Sequence, residues 1–188
     1  MKATDLKKAA ASSEAASPPP GRHHRRSGRL RNMAQLAAVT AIMVAWKETM
    51  NFLPNIHPVT LLLILCVKVY GAGAFYPAFA FALIEIAIYG LGMWSSTYLY
   101  IWPLITAAAL LFRKTDSRLF WALFAGISGL CFGILTALQT FVLFGFKSGV
   151  AYWVAGIGYD IVHCVSNFII VFFLYEPLLK LMKKLRKE

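Results

Sequence analysis

The sequence predicts an all-α integral membrane protein, a compact bundle of six transmembrane helices with both termini in the cytoplasm. The chain has 188 residues, of which 59% are hydrophobic and 14% are charged, and its mean hydropathy is +0.64. A soluble domain carries about 25% charged and about 45–50% apolar residues. The apolar residues are also gathered in runs on the length scale of bilayer-spanning helices. We therefore expect a multi-pass protein of the cell membrane.

An N-terminal tail precedes the first apolar run. Residues 1–31 are rich in Ala, Ser, Pro and Arg and contain almost no large apolar side chains, a composition that favours a disordered basic cytoplasmic tail. The apolar run that follows lacks a small-residue cleavage site, so we expect it to stay in the membrane. After the tail we expect a six-helix transmembrane domain over residues 32–182 and a basic cytoplasmic C-terminus over residues 183–188.

Six apolar segments follow the tail. The second is short, and its ends at Pro58 and Gly71 are weakly defined, but it follows the preceding loop closely enough to cross as part of a tight bundle. The predicted segments are Met33–Phe52, Val59–Tyr70, Ala72–Leu91, Tyr98–Phe112, Leu119–Phe144 and Val150–Leu174.

The basic residues predict the orientation of the bundle. Of the 19 Lys and Arg residues, eight lie in residues 1–31, five lie in the last nine residues, and three share the loop that ends at Arg118. Lys and Arg accumulate on the cytoplasmic side of membrane proteins, so this pattern predicts that both termini lie inside. No basic face with interleaved aromatic residues lies on a soluble module, which argues against nucleic acid as a partner. The predicted outer connections are residues 51–58, 90–97 and 145–149. Lys147 is the only Lys or Arg residue in them.

Ionisable residues within the predicted spans all lie in the outer half or near the middle. Charged side chains inside a membrane are costly and commonly mark functional sites. Asp160 is about 11 residues into the last span, about 16 Å deep at 1.5 Å per residue. Asp160, His163 and Asn167 follow i, i+3, i+7 spacing, so they share one helix face, which we expect to point away from lipid. The ionisable residues are Lys47, Glu48, Glu85, Asp160 and His163.

Two interpretations of these polar residues remain open. In the first they only hold the bundle together, with Lys47 and His163 neutralising Glu85 and Asp160. In the second they line a ligand site at the outer end, where aromatic side chains are concentrated. An interfacial aromatic belt explains only part of that excess, since the cytoplasmic ends have few aromatic residues. We therefore expect a pocket with aromatic walls that suits a ring-bearing ligand. The candidate substrate-binding residues are Lys47, Glu48, Asn51, Asn55, His57, Glu85, Tyr89, Trp94, Tyr98, Trp102, Gln139, Trp153, Asp160, His163 and Asn167.

Motifs for catalysis are missing from the sequence. It contains no HExxH, GxSxG or Walker A motif, and the Asp160–His163 pair lacks a third ligand at metal-binding spacing. We therefore expect a binding protein rather than an enzyme, with no metal and no other cofactor. An intramembrane enzyme that uses Asp160 and His163, together with Glu85, remains an alternative. A stand-alone channel or facilitator is disfavoured because no continuous polar stripe reaches the cytoplasmic side.

Small residues line one side of the first span. Ala34 and Ala38 form one AxxxA pair, and Ala37 and Ala41 form another. Such faces allow helices to approach closely. The ordinary explanation is packing within the bundle, and the functional one is docking of another protein.

Together these features resemble the substrate-binding S components of energy-coupling factor vitamin transporters. The resemblance covers residues 33 to about 182. It rests on the six-span topology, the AxxxA pairs, the outer loop NFLPNIHP, and the segments IEIAIYGLGMWSSTYLYIWP and AYWVAGIGYDIVHCVSNF. The last two are similar to members of this family that are linked in part to cobalamin.

The resemblance implies a subunit in the lipid bilayer that captures a vitamin or related micronutrient, with cobalamin or cobinamide as the first choice, at the outer face. It also implies partners, namely a shared scaffold subunit in the membrane and two cytoplasmic ATPase subunits. Ala34, Ala37, Ala38 and Ala41 would form the docking face for the scaffold, and the three outer loops would form the mouth of the site.

Overall fold

The protein is helical throughout the part that the structure describes. A computed structural model describes residues 21–53 and 55–187, with only the backbone for residues 21–27. No strand occurs within these ranges, so the predicted all-α class is confirmed. A 3₁₀ helix, Gly71–Ala74, joins the second helix to the third. The α-helices are α1 (Gly21–Thr49), α2 (Val59–Tyr70), α3 (Phe75–Tyr89), α4 (Met93–Leu111), α5 (Arg118–Leu130) and α6 (Phe132–Lys187).

The N-terminal region differs from the expected tail. Residues 1–20 of that tail lie outside the described residues, as does Glu188 of the predicted C-terminus. The backbone of residues 21–31 is helical and belongs to α1, so the predicted boundary at residue 31 falls inside a helix. The chain divides into two compact units after Ala34. Everything below concerns the second unit, unless Ala34 is named.

Helix α6 reverses direction at Gly145. This glycine has φ 82° and ψ 172°, a conformation that a residue with a Cβ atom rarely adopts. The segments 132–144 and 146–187 pack side by side, since a Cβ on Gly149 would overlap the Phe141 ring and one on Gly133 would overlap the Asp160 carboxylate. The turn lies where the sequence predicted the third outer connection.

Two helical stretches are long and apolar enough to cross a membrane within the described part of the chain. They are residues 59–89, which combine α2, the 3₁₀ helix and α3, and residues 118–187, which combine α5 and α6. The irregularity between α5 and α6 is local, because Cys131 keeps helical dihedral angles and its amide donates to the Ile127 carbonyl at 2.9 Å.

Helix α2 forms the centre of the hydrophobic core. Ten of its twelve residues are buried, including Leu61, Leu63 and Leu65, which are inaccessible to solvent. It contacts both α4 and α6. The shortest predicted segment is therefore the most enclosed one, because helices surround it on all sides and its near-continuous apolar sequence suits such a position.

Lysine 68 ties the end of α2 to the loop between α4 and α5. Its Nζ donates to the carbonyl oxygens of Arg113 at 2.8 Å and Thr115 at 2.6 Å, and to Asp116 Oδ1 at 2.7 Å. The hydrogen bond from Lys68 holds the pKa of the exposed Asp116 carboxyl below its usual range. This end of the bundle, the predicted cytoplasmic end, is thus closed by a hydrogen-bonded corner.

A stripe of small residues brings α5 against the second half of α6. Ala125, Gly129 and Gly133 recur every four residues and are all buried. A Cβ on Gly129 would lie 2.7 Å from the His163 carbonyl oxygen, so the two backbones touch directly. The sequence predicted close helix approach at the AxxxA pairs of α1. In the structure this AxxxGxxxG stripe packs within the bundle.

We expect Gly129→Ala to destabilise the bundle by about 1–3 kcal/mol, because the new methyl group meets backbone atoms that cannot rotate away. Gly158→Ala is the matched control, since a Cβ there meets nothing within 4 Å, and it should be neutral or stabilise the helix by up to about 1 kcal/mol. Thermal unfolding of both purified variants in the same detergent measures the difference. Equal melting temperatures would contradict close backbone packing at Gly129.

Candidate functional site

Two neighbouring cavities open at the end of the bundle opposite the Lys68 corner. The first cavity has a volume of about 400 Å³ and lies between α4, the loop before α2 and the two segments of α6. The second cavity has a volume of about 250 Å³ and lies beside the end of α1. Asn55, Trp94 and Tyr98 line both cavities. All three were predicted as site residues.

The upper two residues of an aromatic ladder on α4, Trp94 and Tyr98, form the wall shared by the two cavities, and Trp102 lines neither. Trp94, Tyr98 and Trp102 recur every four residues and therefore lie on one helix face. Their neighbouring ring centroids are 5.5 Å and 5.4 Å apart, in edge-to-face contact. Trp94 is exposed at the mouth, whereas Trp102 is completely buried. The ladder thus leads from the opening of the site into the core.

A charged cluster links α1 to α3 beside the second cavity. Lys47 Nζ donates to Glu85 Oε2 at 2.6 Å and to Glu48 Oε1 at 3.0 Å. The Tyr89 hydroxyl donates to Glu48 Oε2 at 2.5 Å and accepts from Asn51 Nδ2 at 3.0 Å. Glu85 is fully buried. The predicted pairing of Lys47 with Glu85 is therefore present, and it fixes α1 against α3.

Asp160 lies at the floor of the first cavity and does not have the charged partner that we expected. Its carboxylate packs against Gly133, at the start of α6, where an added Cβ would overlap it. Ion pairs among the described residues involve Lys47, Lys68 and Arg118, and none includes Asp160. Asp160 is 4% exposed, and its Oδ2 has no hydrogen-bond partner within the described ranges.

Two histidines lie beneath the cavities in an aromatic environment. The His57 and His163 ring centroids are 5.2 Å apart, and Phe132 packs against His163 at 5.0 Å. Both residues are buried, and His57 Nδ1 and both ring nitrogens of His163 have no hydrogen-bond partner in the part of the chain that the structure describes. Trp102 Nε1, next to His57, is also buried without a hydrogen-bond partner among the described residues. Buried polar atoms normally have partners, so a cluster of four such atoms is unusual in a protein interior.

The predicted polar face of the last helix is buried, as expected, but its three residues have different contacts. Asp160 lines the first cavity and His163 lies below it. Asn167 Nδ2 donates to Thr60 Oγ1 and to the Ala125 carbonyl oxygen, both at 3.3 Å. Asn167 therefore joins α2, α5 and α6, and it contributes to the bundle rather than to either cavity.

Two other predicted site residues lie away from both cavities. Gln139 accepts a hydrogen bond from Ser96 Oγ at 3.0 Å and lines a separate, more open depression. Trp153 is partly exposed on α6 and lines neither cavity. Its neighbour Tyr152 lines the first cavity instead, because successive helix residues are about 100° apart and point in different directions.

Several lining residues were not predicted, although their spacing contained the signal. Gly156 and Tyr152 lie four and eight residues before Asp160, near its helix face, and both line the first cavity. Tyr159 and Ala155 line it from the adjoining side of the helix. The other lining residues that were not predicted reach the cavity because α6 folds back on itself. They are Phe132, Gly133 and Thr136.

The arrangement is suited to holding a ring-bearing molecule between aromatic side chains. The described residues contain no group of three or more His, Cys, Asp or Glu side chains that could hold a metal ion. Comparison of the chain with models of protein families, with curated proteins and with solved structures found no match. No relative therefore supplies a function for this chain.

We expect Lys47→Met to lower the free energy of unfolding by about 3–5 kcal/mol, because it leaves the buried Glu85 carboxylate without its cation. Adding Glu85→Met should recover most of the loss, since two apolar side chains then replace the pair. Denaturant unfolding of the single and double variants measures both effects.

The control for that experiment is Arg118→Met. Arg118 pairs with Glu176 at 3.9 Å, and both side chains are about half exposed, so its removal should cost about 0–1 kcal/mol. A Lys47 variant that loses no more stability than this control would show that the buried pair contributes little.

Proposed function

We propose that this protein is the membrane-embedded substrate-binding subunit of an uptake transporter of the energy-coupling factor type. It captures a vitamin or related micronutrient at the outer face. The observation that carries the proposal is the first cavity, an aromatic-walled space of about 400 Å³ with a buried carboxylate at its floor. This volume lies within the range of about 300–1,000 Å³ that is usual for small-molecule sites.

The proposal places six helical segments across the membrane with both termini inside. Its support comes from the distribution of charge along the chain. Arg113, Lys114 and Arg118 lie at the end that Lys68 closes, and five Lys and Arg residues lie at the C-terminal end. The two cavities open at the other end, where Lys147 is the only basic residue in the predicted connections. By the positive-inside rule the cavities then face the outside, as capture of an external substrate requires.

The volume of the first cavity limits the size of the substrate that it can hold. The resemblance to cobalamin-linked members favours cobalamin or cobinamide. However, a corrin ring with its side chains is larger than the volume of the first cavity. Such a ligand would have to occupy both cavities, which meet at Asn55, Trp94 and Tyr98. A heterocycle of one or two rings fits within the first cavity alone. Mass spectrometry of ligand retained by gently purified protein identifies which class is bound.

A binding function is better supported than the alternative of an intramembrane enzyme. A general base must lie within hydrogen-bond reach of the group it orients or deprotonates. The ring nitrogens of His163 have no hydrogen-bond partner among the described residues, so Asp160 does not orient His163. Among the described residues, neither Asp160 nor His163 has a hydrogen-bonded or ion-paired side chain that would activate it for hydrolysis.

The proposed partners are a membrane scaffold subunit and two cytoplasmic ATPases. The sequence has no Walker A motif, so energy from ATP requires such partners. The alanine face of α1 supports this part of the proposal. Ala37, Ala38 and Ala41 are exposed, as are Ala34 and Ala45, and their small side chains allow a second helix to approach closely.

We expect the double variant Ala37→Leu, Ala41→Leu to abolish uptake and co-purification of the scaffold, because two bulky side chains prevent close helix approach. Ligand binding by the isolated subunit should be unchanged, since the cavities lie at the other end of the bundle. Ala87→Leu, at an exposed alanine of α3, is the control and should retain uptake. Simultaneous loss of binding and uptake, or no effect on either, would contradict the proposal that the alanine face of α1 docks the scaffold.

We expect Tyr152→Ala to reduce the amount of retained ligand, with a loss of affinity of about 2- to 12-fold for an aromatic contact. Trp153→Ala should leave retention unchanged, because Trp153 lines neither cavity. Quantitative mass spectrometry of both variants, purified side by side, makes the comparison. The reverse order of effects would place the ligand outside the first cavity.

A further inference from the structure

We propose that the ligand of the first cavity carries a positively charged nitrogen, which pairs with Asp160 and lies against the aromatic wall. The inference rests on the proposed function, since it takes the first cavity as the binding site. It defines the ligand class as an aromatic or alkylated nitrogen cation.

The charges around the two cavities are complementary to a cation. Lys47 is already paired with both Glu85 and Glu48, so this cluster carries one net negative charge. Asp160 adds a second when a bound cation offsets the cost of burying its charge. His57 and His163 are buried without an acidic partner among the described residues, and an unpaired charge is costly there, so both imidazoles are neutral. Within the described residues no cationic side chain lines the first cavity.

The Asp160 carboxylate has a buried oxygen without a hydrogen-bond partner. The carboxylate packs against Gly133, where an added Cβ would overlap it. Its Oδ2 is buried at the cavity surface and has no partner within the described ranges. A buried carboxylate in this state is costly, and a ligand N–H or alkylated nitrogen with a positive charge would supply the missing interaction.

The aromatic side chains around Asp160 stabilise the same kind of charge. Trp94, Tyr98, Tyr152 and Tyr159 all line the first cavity, and cations bind favourably to the faces of Trp and Tyr rings. The second cavity already contains an example of this interaction. Lys47 Nζ lies 4.3 Å from the centroid of the Tyr89 ring and 5.4 Å from that of Trp94.

The test compares two probes of nearly the same shape but different charge. The full chain in lipid nanodiscs is titrated by calorimetry at about pH 8 with 1-methylquinolinium, a permanent cation, and with 4-methylquinoline, which has the same two rings and one methyl group and is neutral. Empty nanodiscs correct for partition into lipid. We expect the cation to bind at least about 10-fold more tightly than the neutral probe.

Asp160→Asn should reduce the affinity for the cation by at least about 10-fold, because the quaternary nitrogen has no N–H and its attraction to the Asp160 carboxylate is electrostatic. The neutral probe should bind this variant as it binds the parent. Glu176→Gln is the matched control, because it removes one carboxylate from the exposed surface far along α6, and it should leave both affinities unchanged. A melting temperature for each variant shows whether it is folded.

The outcomes separate this inference from the proposed function. Equal binding of the two probes by the parent protein, or no binding of the cation, overturns the inference even where Asp160→Asn fails to fold. A preference for the cation that persists in folded Asp160→Asn also overturns it. None of these results affects co-purification with the scaffold and ATPases, which decides the transport function independently.

Discussion

The close approach of residues 129–133 to residues 160–164 is the contact on which the candidate site depends. Gly129 and Gly133 have no side chains, so the backbone of the last helix lies directly against them. This contact places the Asp160 carboxylate against Gly133, and no ion pair in the described part of the chain includes Asp160. A larger residue at either glycine would move Asp160 and change the floor of the first cavity.

The polar groups at this end of the bundle fall into two kinds, and the difference separates structure from binding. Lys47 pairs with Glu48 and Glu85 and holds α1 against α3, although Glu85 Oε1 has no hydrogen-bond partner among the described residues. Asp160 and His163 are equally buried, yet each retains polar atoms without partners among the described residues. Buried polar groups of this kind are costly unless something offsets that cost, and under the proposed function the bound ligand does so.

The residues that were predicted as a single site therefore divide by their contacts. Asn55, Trp94, Tyr98 and Asp160 line the first cavity, and they were identified because polarity and aromaticity at one end of the chain are visible in the sequence. Asn167 and Gln139 were identified for the same reason but bond to other helices. Sequence alone does not distinguish a polar residue that binds a ligand from one that binds a neighbouring helix, since both are polar residues in apolar segments.

The sequence by itself determined the all-α class and the presence of long apolar helical stretches, and it predicted the concentration of polar and aromatic residues at one end. These follow from hydropathy, charge and helical spacing, which are local properties. Only the tertiary structure decided that α2 is the enclosed helix, that Gly133 rather than a cation faces Asp160, and that Tyr152 rather than Trp153 lines the cavity. Each of these depends on which helices are neighbours and on how they are rotated about their axes, and those are set by the close packing of small residues far apart in the chain.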